Sequence, residues 1–170
     1  MTRLPITPRL VWLAIGLASA ALVTASVILT LWLNLHPCPL CIFQRVLYMT
    51  LAALAFVAAL KPARLMGGLT GLLAILTALG GVGIAGYQVW LQAQPAAFLG
   101  CAGGPLKWVE TLVFWLGERL PALFLATGLC GDVEITPFGL SLPTWSLMAF
   151  TAFLVAGVWA FWKQRSVGDG

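Results

Sequence analysis

The sequence predicts an all-α membrane protein, a bundle of four transmembrane helices with a short interfacial helix in the second outer loop. Three observations predict it. Of 170 residues, 61% are hydrophobic and only 8% are charged, against about 25% charged in a soluble domain. A water-facing surface cannot be built from so few charges, so lipid must be the main solvent. Four apolar runs are each long enough to cross a bilayer, and the basic residues gather at one set of run ends. At this length a single integral membrane domain, residues 1–170, is the expected organisation.

The first run, residues 10–33, has 24 residues and no charge. As a helix it is about 36 Å long, more than a hydrocarbon core of about 30 Å. Arg3, Arg9 and the Ala18-Ser19-Ala20 step give it a faint likeness to a secretory signal. The run continues well past the 7–15 residues of such a segment, so a retained helix is expected. Further spans are expected at about 41–60, 65–88 and 144–162, with outer loops at about 34–40 and 89–143. The third run carries Gly67, Gly68, Gly71, Gly80, Gly81, Gly83 and Gly86; small residues let membrane helices approach closely, so it is expected to lie against its neighbours.

Orientation follows from the basic residues. Arg3, Arg9, Lys61, Arg64, Lys163 and Arg165 fall on one side, and Arg45, Lys107 and Arg119 are spread along the other. Positive charge marks the cytoplasmic side, which places both termini inside and all four cysteines outside, where disulfides persist. The net charge of +4 comes from residues scattered singly around the apolar runs. That pattern excludes a nucleic-acid interface, which needs a basic stripe.

The cysteines are Cys38 and Cys41 in the first outer loop and Cys101 and Cys130 in the second. Four thiolates suffice for a structural zinc site, but Cys101 and Cys130 form no close knuckle and the compartment is oxidising; no metal is expected. Haem attachment needs a histidine where Ile42 stands. Inert disulfides fit Cys101 with Cys130, where closing a loop of about 28 residues stabilises by roughly 3 kcal/mol. They fit Cys38 with Cys41 poorly, since so short a loop has little closure entropy to remove. Closely spaced Cys-x-x-Cys pairs commonly exchange electrons. Four cysteines allow three pairings, of which the two within loops are simplest.

Local physics marks Cys41 as reactive. Residues 46–60 alone give about 22 Å of helix, too short to span. The second helix must therefore begin near Cys41, placing that sulfur in the first turn, where the helix dipole stabilises a thiolate. Arg45, four residues on, shares its face and lies within the membrane. An arginine at that depth is costly and commonly functional, the bland alternative being a side chain that snorkels to the head groups.

These residues carry a family resemblance. CPLCIFQR at 38–45, the second-loop pair Cys101 and Cys130 with Gly128-Leu129-Cys130, and GLSLPTWS at 139–146 resemble the DsbB family of disulfide bond formation proteins across nearly the whole chain. The resemblance implies a bacterial inner-membrane thiol:quinone oxidoreductase that reoxidises a periplasmic DsbA-type dithiol oxidase. Its electrons would pass to ubiquinone or menaquinone from the membrane pool. Cys101 would be the sulfur attacked by DsbA; Cys130, set free, would attack Cys38; Cys41 would leave as the thiolate that reduces the quinone, with Arg45 stabilising the charge. One departure stands out: where the family carries an aromatic residue five positions after the last cysteine, this chain has Ile135, followed by Pro137.

Energetics adds a condition. A DsbA-type couple near −120 mV faces structural disulfides below about −300 mV, a gap of roughly 8 kcal/mol in the wrong direction. The disulfides must be unusually oxidising, or a stronger acceptor such as a quinone must draw the electrons on. Two other readings compete, a relative of the vitamin K epoxide reductase type and a non-enzymatic membrane protein with structural disulfides. The arginine spacing and the boundary of the second helix argue against the first.

Between the second pair of cysteines, residues 105–121 place Trp108, Leu112, Trp115 and Leu116 on one side and Lys107, Glu110 and Glu118 largely elsewhere. That is the pattern of a helix lying on the membrane. Glu110, Glu118, Asp132 and Glu134 are expected to be solvated. His36 is read as a passive loop residue beside the cysteines, and Gln88 and Gln92 as polar residues near the outer surface.

Overall fold

The computed structural model describes residues 7–60, 64–94, 106–128 and 139–168. Cys101 and Cys130 lie outside the described residues, as do Arg3, Lys61, Asp132, Glu134, Ile135 and Pro137. Helices follow in the order α1 (Pro8–Trp32), α2 (Pro39–Leu60), α3 (Arg64–Gln92), α4 (Lys107–Arg119), α5 (Pro121–Phe124) and α6 (Leu142–Gly168). The four long ones, α1, α2, α3 and α6, are long and apolar enough to cross a membrane. They pack side by side in the order α1–α2–α3–α6, with α6 closing back on α1.

The helix ends follow from local chemistry. Thr7 caps α1 by accepting from the Leu10 N–H, and Pro8 sits in the first turn, where its missing donor costs nothing. At the other end Asn34 adopts a left-handed φ of 51°, and the Leu35 N–H donates to the Thr30 carbonyl. This is a Schellman stop with asparagine in the usual glycine position. It turns the chain sharply enough for α2 to start at Pro39. The Ser141 and Thr144 hydroxyls lie 2.9 Å apart at the start of α6, and the Thr144 N–H donates to the Ser141 carbonyl.

Two clusters hold the bundle together. One joins Ala55, Ala58, Ala74, Ala78 and Ala160 with Trp12, Tyr48 and Phe150. Lipid is as apolar as leucine, so association rests on close van der Waals contact, which alanine and glycine permit. Gly81 shows the limit, since a Cβ there would intrude on the Phe150 ring. The second cluster joins Cys38, just before α2, and Leu40, Ile42 and Phe43 of α2 with Ile84 and Leu91 of α3, Val109 and Val113 of α4, and Phe124 of α5. Outward faces carry exposed leucines such as Leu17, Leu31 and Leu69, as lipid contact requires.

Helix α4 is apolar on both sides. Val109, Val113 and Gly117 pack inward, while Trp108, Leu112 and Trp115 form the outward stripe. The outward face matches the expected membrane-facing side, except that Leu116 is half-buried. Glu110 differs from expectation: it is buried rather than solvated, because it follows Val109 on the inward face.

Candidate functional site

Cys38 immediately precedes α2, and the Ile42 N–H donating to its carbonyl is the first turn of that helix. Cys41 therefore lies in the first turn, as the span length requires. The sulfurs are 2.8 Å apart, with the Cys38 thiol donating to Cys41 Sγ, and the Cys41 N–H donates back to Cys38 Sγ at 3.3 Å. Their surroundings differ. Cys38 is buried in the cluster beneath α4, at 3% exposure. Cys41 is only half-buried and lines a cavity. The hydrogen bond to Cys41, reinforced by burial, holds the Cys38 thiol well above its ordinary pKa.

Cys41, Gln44, Arg45 and Tyr48 stand at i, i+3, i+4 and i+7, one face of α2, and all four line that cavity. It measures about 530 Å³ and lies between α1, α2 and α6. Its remaining wall is mostly apolar, with Ser26 and Thr30 from α1 and Trp145 and Ser146 from α6. Leu22, Leu29, Trp145 and Met148 at its margin are exposed, so it can be reached from the lipid side.

Arg45 does not snorkel. At 4% exposure it turns toward α1. Its Nε donates to Ser26 Oγ at 3.1 Å, and Nη2 donates to Ser26 Oγ at 2.9 Å and Thr30 Oγ1 at 3.0 Å. Nη1 donates to the Leu123 carbonyl of α5 at 2.6 Å. Each of these acceptors is neutral, so the guanidinium is positioned but not neutralised, and its charge remains available to an anion in the cavity. Tyr48 is held against α6, its hydroxyl 2.9 Å from Ser146 Oγ and its ring stacked on Phe150 at 4.1 Å.

A second tie reaches the segment that leads to Cys130. The Thr127 and Gly128 N–H groups both donate to the Pro37 carbonyl, at 3.1 and 3.2 Å. A Cβ on Gly128 would collide with the His36 carbonyl, so this close approach requires glycine. The His36 side chain is exposed. Gln88 is buried at 1% exposure and lies against the two sulfurs, whereas Gln92 is half-buried. Gln44 and Tyr48 complete the face at the helical spacing from Cys41, a signal the sequence itself carries. Among the described residues no cluster of histidine, cysteine and acidic side chains could hold a metal.

Comparison with known proteins bears directly on this arrangement. The family model for disulfide bond formation protein DsbB matches residues 8–160. A disulfide bond formation protein B from Dechloromonas aromatica (strain RCB) is 37% identical over 160 residues, covering 92% of this chain and 94% of that protein. One from Xanthomonas campestris pv. campestris (strain 8004) is 38% identical over 152 residues, covering 88% and 87%. Another from Methylobacillus flagellatus is 39% identical over 150 residues, covering 86% and 89%. With four membrane-length helices and a Cys-x-x-Cys pair at the head of the second, the chain is a multi-pass membrane protein that belongs to the DsbB family of disulfide bond formation proteins.

Proposed function

We propose that this protein reoxidises a periplasmic DsbA-type dithiol oxidase and passes the two electrons to a membrane quinone, ubiquinone or menaquinone. The observation that carries this reading is that Cys41 and Arg45 share a lipid-accessible, largely apolar cavity of about 530 Å³. Ligand sites of about 300–1,000 Å³ with a few convergent polar groups are the ordinary form of a small-molecule pocket. The donor set also suits a quinone head group: a guanidinium for an oxygen that gains negative charge, beside a sulfur that gives electrons.

In this reading the inner membrane lies around α1, α2, α3 and α6, with both termini cytoplasmic and the cysteines periplasmic. The donor's thiolate attacks Cys101 of a Cys101–Cys130 disulfide, and Cys130 leaves as a thiolate. Cys130 attacks Cys38; the Cys38–Cys41 bond breaks and its electron pair leaves on Cys41 Sγ. A bound quinone supplies a two-electron acceptor. The donor's second thiolate would attack the donor–Cys101 bond and free Cys101 as the donor's disulfide closes. Cys101 would attack Cys130 and release Cys38. Cys38 and Cys41 would re-form their bond as they give up two electrons to the acceptor. Arg45 holds its charge beside Cys41 because Ser26, Thr30 and Leu123 fix it there, and the apolar wall keeps water from the sulfur. Overall one dithiol becomes a disulfide and one quinone becomes a quinol, with two electrons and two protons transferred.

The test uses purified protein in detergent, a reduced DsbA-type donor and a ubiquinone analogue followed by absorbance. Donor-dependent quinone loss that stops in Cys41→Ser is expected. Quinone loss that continues in Cys41→Ser would overturn the assignment, and no donor-dependent loss with all four cysteines paired would leave the disulfides structural.

A further inference from the structure

Gln88 enters the sulfur pair from α3, and its carboxamide is engaged at both ends. Its Oε1 accepts from Gln44 Nε2 at 2.8 Å. Its Nε2 donates to Cys38 Sγ at 3.1 Å and to Cys41 Sγ at 3.0 Å. Both glutamines are buried, at 1% and 5% exposure, and Gln44 also lines the cavity. Turning Gln88 end for end would put its NH₂ against the NH₂ of Gln44 and leave two buried donors facing each other, which is costly. As oriented, the two form a relay: the Gln44 NH₂ holds the Gln88 oxygen and leaves the Gln88 NH₂ to the sulfurs.

We propose that Gln88 is a catalytic residue of the Cys38–Cys41 couple, a neutral two-pronged donor that receives the charge left on sulfur, and that Gln44 is the positioning residue that keeps its donor side forward. The inference rests on the redox role of Cys38 and Cys41 proposed above. When an incoming thiolate bonds to Cys38, the Cys38–Cys41 bond breaks and its electron pair stays on Cys41 Sγ; no proton moves. An N–H donor stands 3.0 Å from the atom that becomes charged. A hydrogen bond to a thiolate is stronger than one to a disulfide sulfur, and burial strengthens it further. Gln88 therefore stabilises the reduced form selectively, which makes the couple more oxidising. An amide does not titrate, so the donor itself is present at every pH.

The test measures the Cys38–Cys41 equilibrium of the full-length protein in detergent. Thiol–disulfide buffers at mildly alkaline pH set the poise, and alkylation of each cysteine is read by mass spectrometry. Gln88→Met should move the equilibrium toward the disulfide by about tenfold. Gln44→Glu is the sharper variant: its carboxylate keeps a hydrogen bond to Gln88 but accepts it, turning the Gln88 oxygen onto the sulfurs. It should shift the couple in the same direction by at least as much. The added carboxylate also repels a thiolate directly, so Gln44→Glu is repeated in the Gln88→Met background. Action through Gln88 predicts that most of its shift vanishes there, and a merely structural Gln88 predicts that the shift remains in full. If Gln88→Met fails to fold, Gln88→Leu takes its place in both measurements. Both couples within about twofold of the wild type would overturn the proposal. The readout uses neither DsbA nor quinone, so a wild type that reduces no quinone would sink the functional reading while leaving this result legible.

Discussion

Toward the Cys38 end of the bundle the helices meet through Gln44, Gln88, Arg45, Ser26 and Thr30. Toward the opposite end they meet through Trp12, Ala58, Gly71, Ala74 and Phe161. The second set is what lipid favours: small residues that let backbones approach and rings that fill the remaining space. Trp12 Nε1 donating to Gln164 Oε1 at 3.3 Å is a polar tie there, and it spans only α1 and α6. The first set is costly in lipid unless every group finds a partner. Here the partners are the sulfurs, the α1 hydroxyls, the Leu123 carbonyl and the two glutamines themselves. The Trp12 end packs mainly through small residues and rings, whereas the Cys38 end adds to its apolar cluster a set of polar groups that hold the Arg45 charge in place.

Substitutions at the two ends should therefore fail in different ways. Arg45→Gln should lower quinone reduction about a hundredfold, the scale of losing a charge-stabilising donor, while the disulfides still form. Unchanged quinone turnover in that variant would remove Arg45 from the site. Gly128→Ala strikes the tie between the Pro37 carbonyl and the segment two residues before Cys130. Loss of one or two hydrogen bonds of about 1 kcal/mol each should cut DsbA-driven turnover about tenfold. Reduction driven by dithiothreitol, which can attack the first pair directly, should be spared. Equal loss with both reductants would show that residues 127–128 support the whole fold rather than the transfer between loops.

Gly71→Val tests the other end. A Cβ at Gly71 already stands 3.2 Å from the Phe161 ring and 3.3 Å from the Trp12 ring, so two further methyls overpack the contact. Stability should fall by about 1–3 kcal/mol, read as a lower melting temperature, while the quinone KM of the folded protein stays within about twofold. A large rise in KM would mean that the two ends are coupled through α1 and α6.

The spans were legible because lipid leaves few alternatives: with so few charges, run length alone sets the helices. Cys41 in the first turn was legible for the same reason, since a helix starting at Val46 cannot span. The partners of Arg45 were not, because Ser26 and Thr30 lie 19 and 15 residues away on another helix. No local pattern separates an arginine that snorkels from one clamped to its neighbour. Gln88 is 47 residues from Cys41, and only the packing of α3 on α2 brings them together. Glu110 was not legible because a charge in a loop is ordinarily solvated, and only the packing of α4 against the cluster of Leu40 and Phe43 buries that face.

The central claim is that the cavity bordered by Cys41 and Arg45 is where quinone binds. A photoreactive quinone analogue, activated on the full-length protein in lipid nanodiscs and mapped by mass spectrometry, tests it most directly. Labels on Cys41–Tyr48 of α2, Ser26–Thr30 of α1 and Trp145–Ala149 of α6, competed away by unmodified quinone, are the predicted result. Competed labels confined instead to the groove of Val11, Thr151, Val155 and Trp159, with the Cys41 face clean, would contradict it.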